Sequence, residues 1–381
     1  MRIRDSILFC SDNRFSEVPA CLGQCLQLSM IGFKANRIER VPAAALPPQL
    51  RWLILTDNRI AELPEELGQR PLLQKLMLAG NRLTRLPESL GQCHRLELLR
   101  IAANRLTELP PFLLALPRLT WLAYAGNPLE SEADATALAS TPSIPWSELT
   151  LEQRLGEGAS GVIHQAQWQP AGQPPRAVAV KLYKGEMTSD GSPLHEMNAC
   201  ISAGLHPNLI RVEGRILDHP QGQNGLVMQL IDKSFANLAA LPSLDSCSRD
   251  IYPDDTRFNA DVTLGIARGI ASVGAHLHAQ GITHGDLYGH NTLWNAQGDC
   301  LLGDFGAASF HAQDDTVQSR ALQRLEVRAF GILLEELLER GDGSLSLGQQ
   351  QKLAALVQRC CQPEVLARPG FTQVCEELAG L

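Results

Sequence analysis

Hydrophobic and polar positions recur in one fixed frame along the first third of the chain. The sets Leu50, Leu53, Leu55; Leu73, Leu76, Leu78; Leu96, Leu99, Ile101; and Leu119, Leu122, Tyr124 are closed in turn by Asn58, Asn81, Asn104 and Asn127. Asn13 and Asn36 extend the series backwards, giving spacings of 23, 22, 23, 23 and 23 residues. Every Asn but the last opens the same kind of tail: NRFSEVP, NRIERVP, NRIAELP, NRLTRLP, NRLTELP. The frame predicts one short strand per turn, with leucines pointing inward. A single turn buries them poorly, whereas stacked neighbours bury them well. The Asn amide is suited to pair with backbone groups of each bend, as a ladder along the stack.

This LxxLxLxxN pattern, over about residues 1–129, resembles the leucine-rich repeat family and implies an α/β solenoid, with a domain at 1–130. By period-two alternation, the residues six, four and two before each Asn form the outer strand face. Trp52, Ile54, Met77, Leu98 and Trp121 stand there, an unusually apolar set for an exposed sheet. They are candidate partner-binding residues, with the two Trp as anchors. Two alternatives stay open: the rest of the chain or a second copy covers them, or they are incidental. The Arg after each Asn reads as a solvated column.

The repeat stops after Asn127. PLESEADATALASTPSIPWSEL mixes small and acidic residues with Pro142 and Pro145, reading as a cap and linker at 131–147. Trp146 leads into a second domain at 148–381.

Five signals follow in order. LGEGASGVI carries Gly156, Gly158 and Gly161 as GxGxxG, with a β-prone continuation rather than a long helix, which suits a turn closing over phosphates. VAVK is an alternating strand ending in Lys181. Glu196 lies in a helical stretch, SPLHEMNACISAG, placed to pair with that Lys. THGDLYGHN (283–291) contains His284, Asp286 and Asn291 as HxDxxxxN. Asp304 opens a DFG, thirteen residues after Asn291. Each alone is weak; together they resemble the eukaryotic-type protein kinase family, nearest its tyrosine-kinase-like branch. The whole chain then resembles cytosolic leucine-rich repeat kinases: a solenoid followed by an α+β bilobal protein kinase fold.

That resemblance implies ATP and Mg2+ as cofactors. Leu155, Gly156, Gly158, Gly161, Ile163, Lys181, Glu196 and Met228 would form the ATP site. Asn291 and Asp304 would hold magnesium, and Asp286 with Lys181 would be catalytic. Asp286 would orient the acceptor hydroxyl and accept its proton late, while His284 would be a packed structural residue. Protein phosphorylation at Ser or Thr is the expected activity. An ATP-binding scaffold without transfer, or a non-catalytic interaction protein, is the alternative.

Four departures stand out. Gly285 replaces the family's frequent Arg. Tyr288 stands where serine/threonine kinases carry a Lys that neutralises the transferring phosphate, and His290 is a possible substitute. Glu326 follows Asp304 by only 22 positions, with no APE between them, so Arg368 needs a new partner, for which Glu326 is the expectation. The insertion LPSLDSCSRDIYPDD (241–255) has no assigned role beyond a surface loop.

Composition adds three limits. The net charge of −8 divides into +2 over residues 1–140 and −10 over the remainder, which disfavours nucleic acid as a partner. No apolar run suggests a membrane span or secretory leader, so a cytoplasmic address is expected. The ten cysteines lack CxxC spacing and read as reduced thiols, with a structural zinc site as the alternative.

Overall fold

The computed structural model describes residues 6–129, 140–185, 187–314 and 316–381. Most of the cap and linker expected at 131–147 lies outside them.

Six strands, β1 (Ile7–Phe9), β2 (Met30–Gly32), β3 (Trp52–Ile54), β4 (Lys75–Met77), β5 (Leu98–Arg100) and β6 (Trp121–Ala123), form one parallel sheet in chain order. Residues one repeat apart pair directly, as in Trp52↔Lys75 and Leu98↔Trp121. The Pro that ends each tail precedes a single helical turn on the far side, for example Pro64 before Glu65–Gln69 and Pro87 before Glu88–Gln92. Its fixed φ steers the chain into that turn. The inward leucines, among them Leu53, Leu76 and Leu99, are fully buried. The expected Asn ladder is present. Asn81 Nδ2 donates to the Leu55 and Leu78 carbonyls at 2.9 Å, and its Oδ1 accepts from Ile60 N at 3.0 Å. Asn58 and Asn104 repeat this arrangement.

The second domain opens with a six-stranded sheet in the order β7-β11-β12-β10-β9-β8. These strands are β7 (Ser143–Pro145), β8 (Leu149–Glu157), β9 (Gly161–Trp168), β10 (Arg176–Tyr183), β11 (Val212–Leu217) and β12 (Gly225–Gln229). The sheet therefore recruits the end of the expected linker, since Ser143–Pro145 runs parallel to Arg215–Leu217. A helical lobe follows, built on Ala260–Ala279, Val317–Glu339, Leu347–Cys360 and Phe371–Ala379. Asn259 caps the first helix through Val262 N and Thr316 caps the second through Ser319 N.

The two domains share their hydrophobic interior. Ala321, Leu322 and Leu325, at the start of the Val317–Glu339 helix, belong to the repeat core, while Leu98 and Trp121 belong to the core of the helical lobe. This corrects the reading of the outer strand face as a partner surface. Trp121 is 1% exposed and Trp52 7% exposed. Trp121 stacks on Tyr288, with ring centroids 4.2 Å apart and planes 7° apart, and donates from Nε1 to the Leu287 carbonyl. Trp52 and Ile54 pack with Cys247, and Met77 packs with Leu98 against the helical lobe. The apolar excess on that face is matched by the chain's own second domain.

The insertion at 241–255 makes part of this contact. Cys247 is buried under Trp52, whose Nε1 donates to its sulfur. Ser248 Oγ donates to Glu97, and Arg51 donates to the Asp245 carbonyl. At its far end Asp250 accepts from both His290 N and His290 Nδ1. The insertion is a strap between the repeats and the loop carrying Asp286.

Candidate active site

The glycine-rich turn joins β8 to β9, closed by Gly158 N donating to the Gly161 carbonyl at 2.9 Å. Glycine is needed at 161 because a Cβ there would meet the Leu182 carbonyl oxygen at 2.5 Å. A Cβ on Gly156 or Gly158 would meet nothing within 4 Å, and Gly158 lines the cleft with bare backbone.

Strand register brings Lys181 of β10 opposite Ile163 and Leu226. The Pro193–Ser202 helix, capped by Ser192, carries Glu196 inward, and Lys181 Nζ forms an ion pair with Glu196 Oε1. Burial opposes charge on both members, and each partner's charge opposes that effect. For Lys181, burial is outweighed by Glu196 and Asp304, and its pKa rises. For Glu196, burial prevails over Lys181, and its pKa rises as well. Asp304 sits in the left-handed region at φ 55° and accepts from Gly306 N.

Gly158, Gly161, Ile163, Lys181, Glu196 and Asp304 line one cavity of about 190 Å³. Thr188 and Asp190 line it too, from the segment before the Glu196 helix, and sequence reasoning did not single them out. Leu155, Gly156 and Met228 are not among the residues lining that cavity. Leu155 is 47% exposed on β8, and Met228 faces Ala179 across the β10–β12 ladder.

The catalytic-loop candidates adjoin this cavity. Asn291 Nδ2 donates to the Asp286 carbonyl at 2.9 Å and to Asp286 Oδ2 at 2.8 Å. His284 is fully buried and its Nε2 contacts the Gly303 carbonyl at 2.8 Å, which ties the Asp286 loop to the Asp304 turn. Its place is a packed one, against the Phe305 ring.

Among the described residues, no three His, Cys, Asp or Glu side chains cluster as a self-contained metal cage. The oxygen donors of Asp304 and Asn291 fit magnesium, which keeps several waters and takes the rest of its ligands from phosphate. The Lys181 ammonium and the bare glycine backbone likewise fit a polyphosphate.

Comparison with known proteins bears on both halves. A family model for protein tyrosine and serine/threonine kinases matches residues 149–332, and a leucine-rich repeat model matches 48–106. The chain is a leucine-rich repeat array joined to a protein kinase domain. Similar proteins include ephrin type-B receptor 4 of Homo sapiens, 28% identical over 189 residues, covering 49% of this chain and 18% of the receptor. Serine/threonine-protein kinase PkaA of Streptomyces coelicolor is 32% identical over 182 residues, covering 42% of this chain and 30% of PkaA. Serine/threonine-protein kinase mos of Gallus gallus is 28% identical over 185 residues, covering 44% and 49%. The chain thus spans less than a third of the receptor and of PkaA.

The kinase domain's departures have structural reasons. Gly285 has φ 71°, and a Cβ there would lie 2.5 Å from the Ala307 carbonyl oxygen and 2.8 Å from that of Leu122 in β6. An Arg at 285 would hold the repeat strand off. Gly285 N donates to Glu326 Oε1, and Glu326 Oε2 contacts His278 Nε2. The expected pairing of Arg368 with Glu326 is therefore wrong. Arg368 instead donates to the carbonyls of Gln362, Arg324 and Pro117, the last in the repeats. His290 is turned to Asp250, so its ring Nδ1 is committed there; burial lowers its pKa, but the Asp250 hydrogen bond and nearby carboxylates raise it overall.

A cation nonetheless reaches Asp286, from a direction the sequence did not suggest. Arg100, at the end of β5, is 1% exposed and forms an ion pair with Asp286. Burial pushes the Asp286 carboxyl up, with Arg100 opposing.

Proposed function

We propose that this chain is an ATP-dependent, magnesium-requiring protein kinase directed at Ser or Thr. The observation that carries the reading is the Lys181–Glu196 ion pair sharing one cavity with Asp304, beside an Asp286 held by Asn291. Lys181 would hold the nucleotide phosphates, and Asp304 and Asn291 the magnesium ion. When bound, Mg–ATP supplies the transferable phosphoryl group and neutralises its charge. Asp286 orients the acceptor hydroxyl. As the oxygen bonds to the γ-phosphorus and the bond to the bridging oxygen breaks, releasing ADP, the hydroxyl proton passes to the Asp286 carboxylate.

Direction toward Ser or Thr is supported by the names of PkaA and mos. A cytoplasmic setting is supported by ten unpaired cysteines. Among the described residues no helix is long and apolar enough to cross a membrane. A nucleotide-binding scaffold is the second reading, favoured by one observation: the repeat face lies against the Asp286 loop.

Two measurements on purified full-length protein separate these. Equilibrium binding of a fluorescent ATP analogue with magnesium tests the cavity. Transfer of radiolabelled phosphate to dephosphorylated casein, with Asp286→Asn alongside, tests the chemistry. Binding without transfer would leave the scaffold; neither would overturn both.

A further inference from the structure

We infer that Arg100 is a positioning residue of the transfer site: a guanidinium carried by the fifth repeat holds the Asp286 carboxylate and supplies the cation that the kinase domain's own loop lacks. The inference rests on the transferase reading above.

The geometry around Asp286 carries it. Arg100 Nη2 pairs with Asp286 Oδ1, Nη1 donates to the Gly285 carbonyl at 2.9 Å, and Nε donates to Asp190 Oδ1 at 2.6 Å. The other Asp286 oxygen accepts from Asn291. The carboxylate is thus gripped from two sides, one donor per oxygen, with 19% of its side chain still exposed. Asp190 lines the cavity that holds Lys181 and Asp304, so the same guanidinium also ties that cavity's wall to the Asp286 loop. A rigid planar fork suits three acceptors in fixed directions, which a Lys ammonium matches poorly.

The loop's own side chains leave this role open. Position 285 is glycine, Tyr288 is stacked under Trp121, and His290 Nδ1 is held by Asp250. Arg100 is also no detachable tether. Its strand neighbour Leu98 and Trp121 of the next repeat lie in the helical lobe's core, and Leu322 and Leu325 lie in the repeat core. Large apolar interfaces of this kind hold domains in one arrangement. Burying an Arg this fully is costly unless it is paired, and here two carboxylates and a carbonyl pair it. An ion pair that only glued the domains together would have no reason to end on the acceptor-orienting carboxylate.

The test uses full-length wild type, Arg100→Met, Arg100→Lys and Arg100→Ala in the casein transfer assay, with nucleotide binding measured separately. Losing one pre-organised donor at a reacting centre lowers turnover on the order of 100-fold. Arg100→Met should show that fall in kcat with KM for Mg–ATP and analogue binding within threefold of wild type. Arg100→Lys should fall less, and millimolar guanidinium should partly restore Arg100→Ala while leaving Asp286→Asn inactive. Unchanged turnover in Arg100→Met overturns the inference. Raised turnover also overturns it, since the repeat face would then be guarding Asp286. If Arg100→Met fails to fold, Arg100→Lys decides, a wild-type kcat refuting the role. Hydrogen exchange gives a readout independent of turnover. Amides 285–291 should exchange at least tenfold faster in Arg100→Met, with the β2–β4 amides unchanged. A wild type that transfers nothing sinks the transferase reading, and the exchange result then decides positioning alone: faster exchange supports it and unchanged exchange refutes it.

Discussion

Trp121→Ala is the sharpest probe of the shared core. The indole is 1% exposed, lies flat on Tyr288 and gives its N–H to the Leu287 carbonyl. Burying an aromatic of this size removes about 150–250 Å² from water, worth roughly 4–6 kcal/mol as an upper bound. The vacated space will relax in part, and measured aromatic-to-Ala losses in cores run about 3–5 kcal/mol, so about 4 kcal/mol is expected. If the 381 residues melt as one unit, the unfolding entropy is about 0.8 kcal/mol/K and Tm falls by about 5 °C. Scanning calorimetry should show a single wild-type transition that moves intact. Leu26→Ala, at a position 64% exposed, is the control and should leave Tm in place. Two separate wild-type transitions, or a Trp121→Ala shift under 2 °C, would refute the claim that repeats and kinase domain fold around a common interior.

Gly285→Ala should cost about 2 kcal/mol or more, from left-handed strain and contact with the Ala307 and Leu122 carbonyls; an unchanged Tm would remove the reason given for glycine there. Lys181→Ala and Asp304→Asn should abolish phosphate transfer while circular dichroism stays wild-type, and transfer at the wild-type rate by both would displace the assigned site. Thr316 and Ser319 serve as a helix cap and its partner, with Ser319 Oγ bonded to Asp314, so phosphatase treatment should leave transfer unchanged; a tenfold loss in treated protein would reveal a phosphorylation switch. Glu336 is pushed up from 4.5 to about 7, first by burial and then by Asp250, so its contribution to stability is full below pH 4.5 and declines as pH rises to about 7, by up to about 3 kcal/mol. Glu336→Gln should flatten the Tm profile between pH 5 and 8, and an unaltered slope would count against this origin.

The repeats were legible because their period is a property of the backbone: an in-register parallel stack demands inward Leu and a ladder Asn once per turn. The Lys181, Glu196, Asp286, Asn291 and Asp304 set was legible because each sits at a fixed offset within a local element. Arg100 was not, because its partner Asp286 is 186 residues away and nothing local marks one Arg on a strand face. Asp190 and Thr188 escaped for a similar reason, lying in an irregular segment without a motif. The apolar excess at Trp52, Leu98 and Trp121 signalled burial correctly but carried no information on what covers it. The one local hint was Gly285, a residue without a side chain beside Asp286.

The short segment after the DFG turn and the insertion at 241–255 are two halves of one arrangement. After the DFG turn, repeat residues stand directly against Ser309 and Phe310. Tyr124 N donates to Ser309 Oγ, Tyr124 Oη donates to the Phe310 carbonyl, and Arg368 bonds to Pro117. The insertion then holds the other flank, with Cys247 on Trp52 of β3, Ser248 on Glu97 just before β5, and Asp250 on His290. Shortening one segment admits the repeat face, and lengthening the other secures it. Gly285 meets the same demand at atomic scale, since the Leu122 carbonyl can approach only where no Cβ stands. These three departures from the usual kinase pattern therefore meet one contact surface, the repeat face against the loop that carries Asp286.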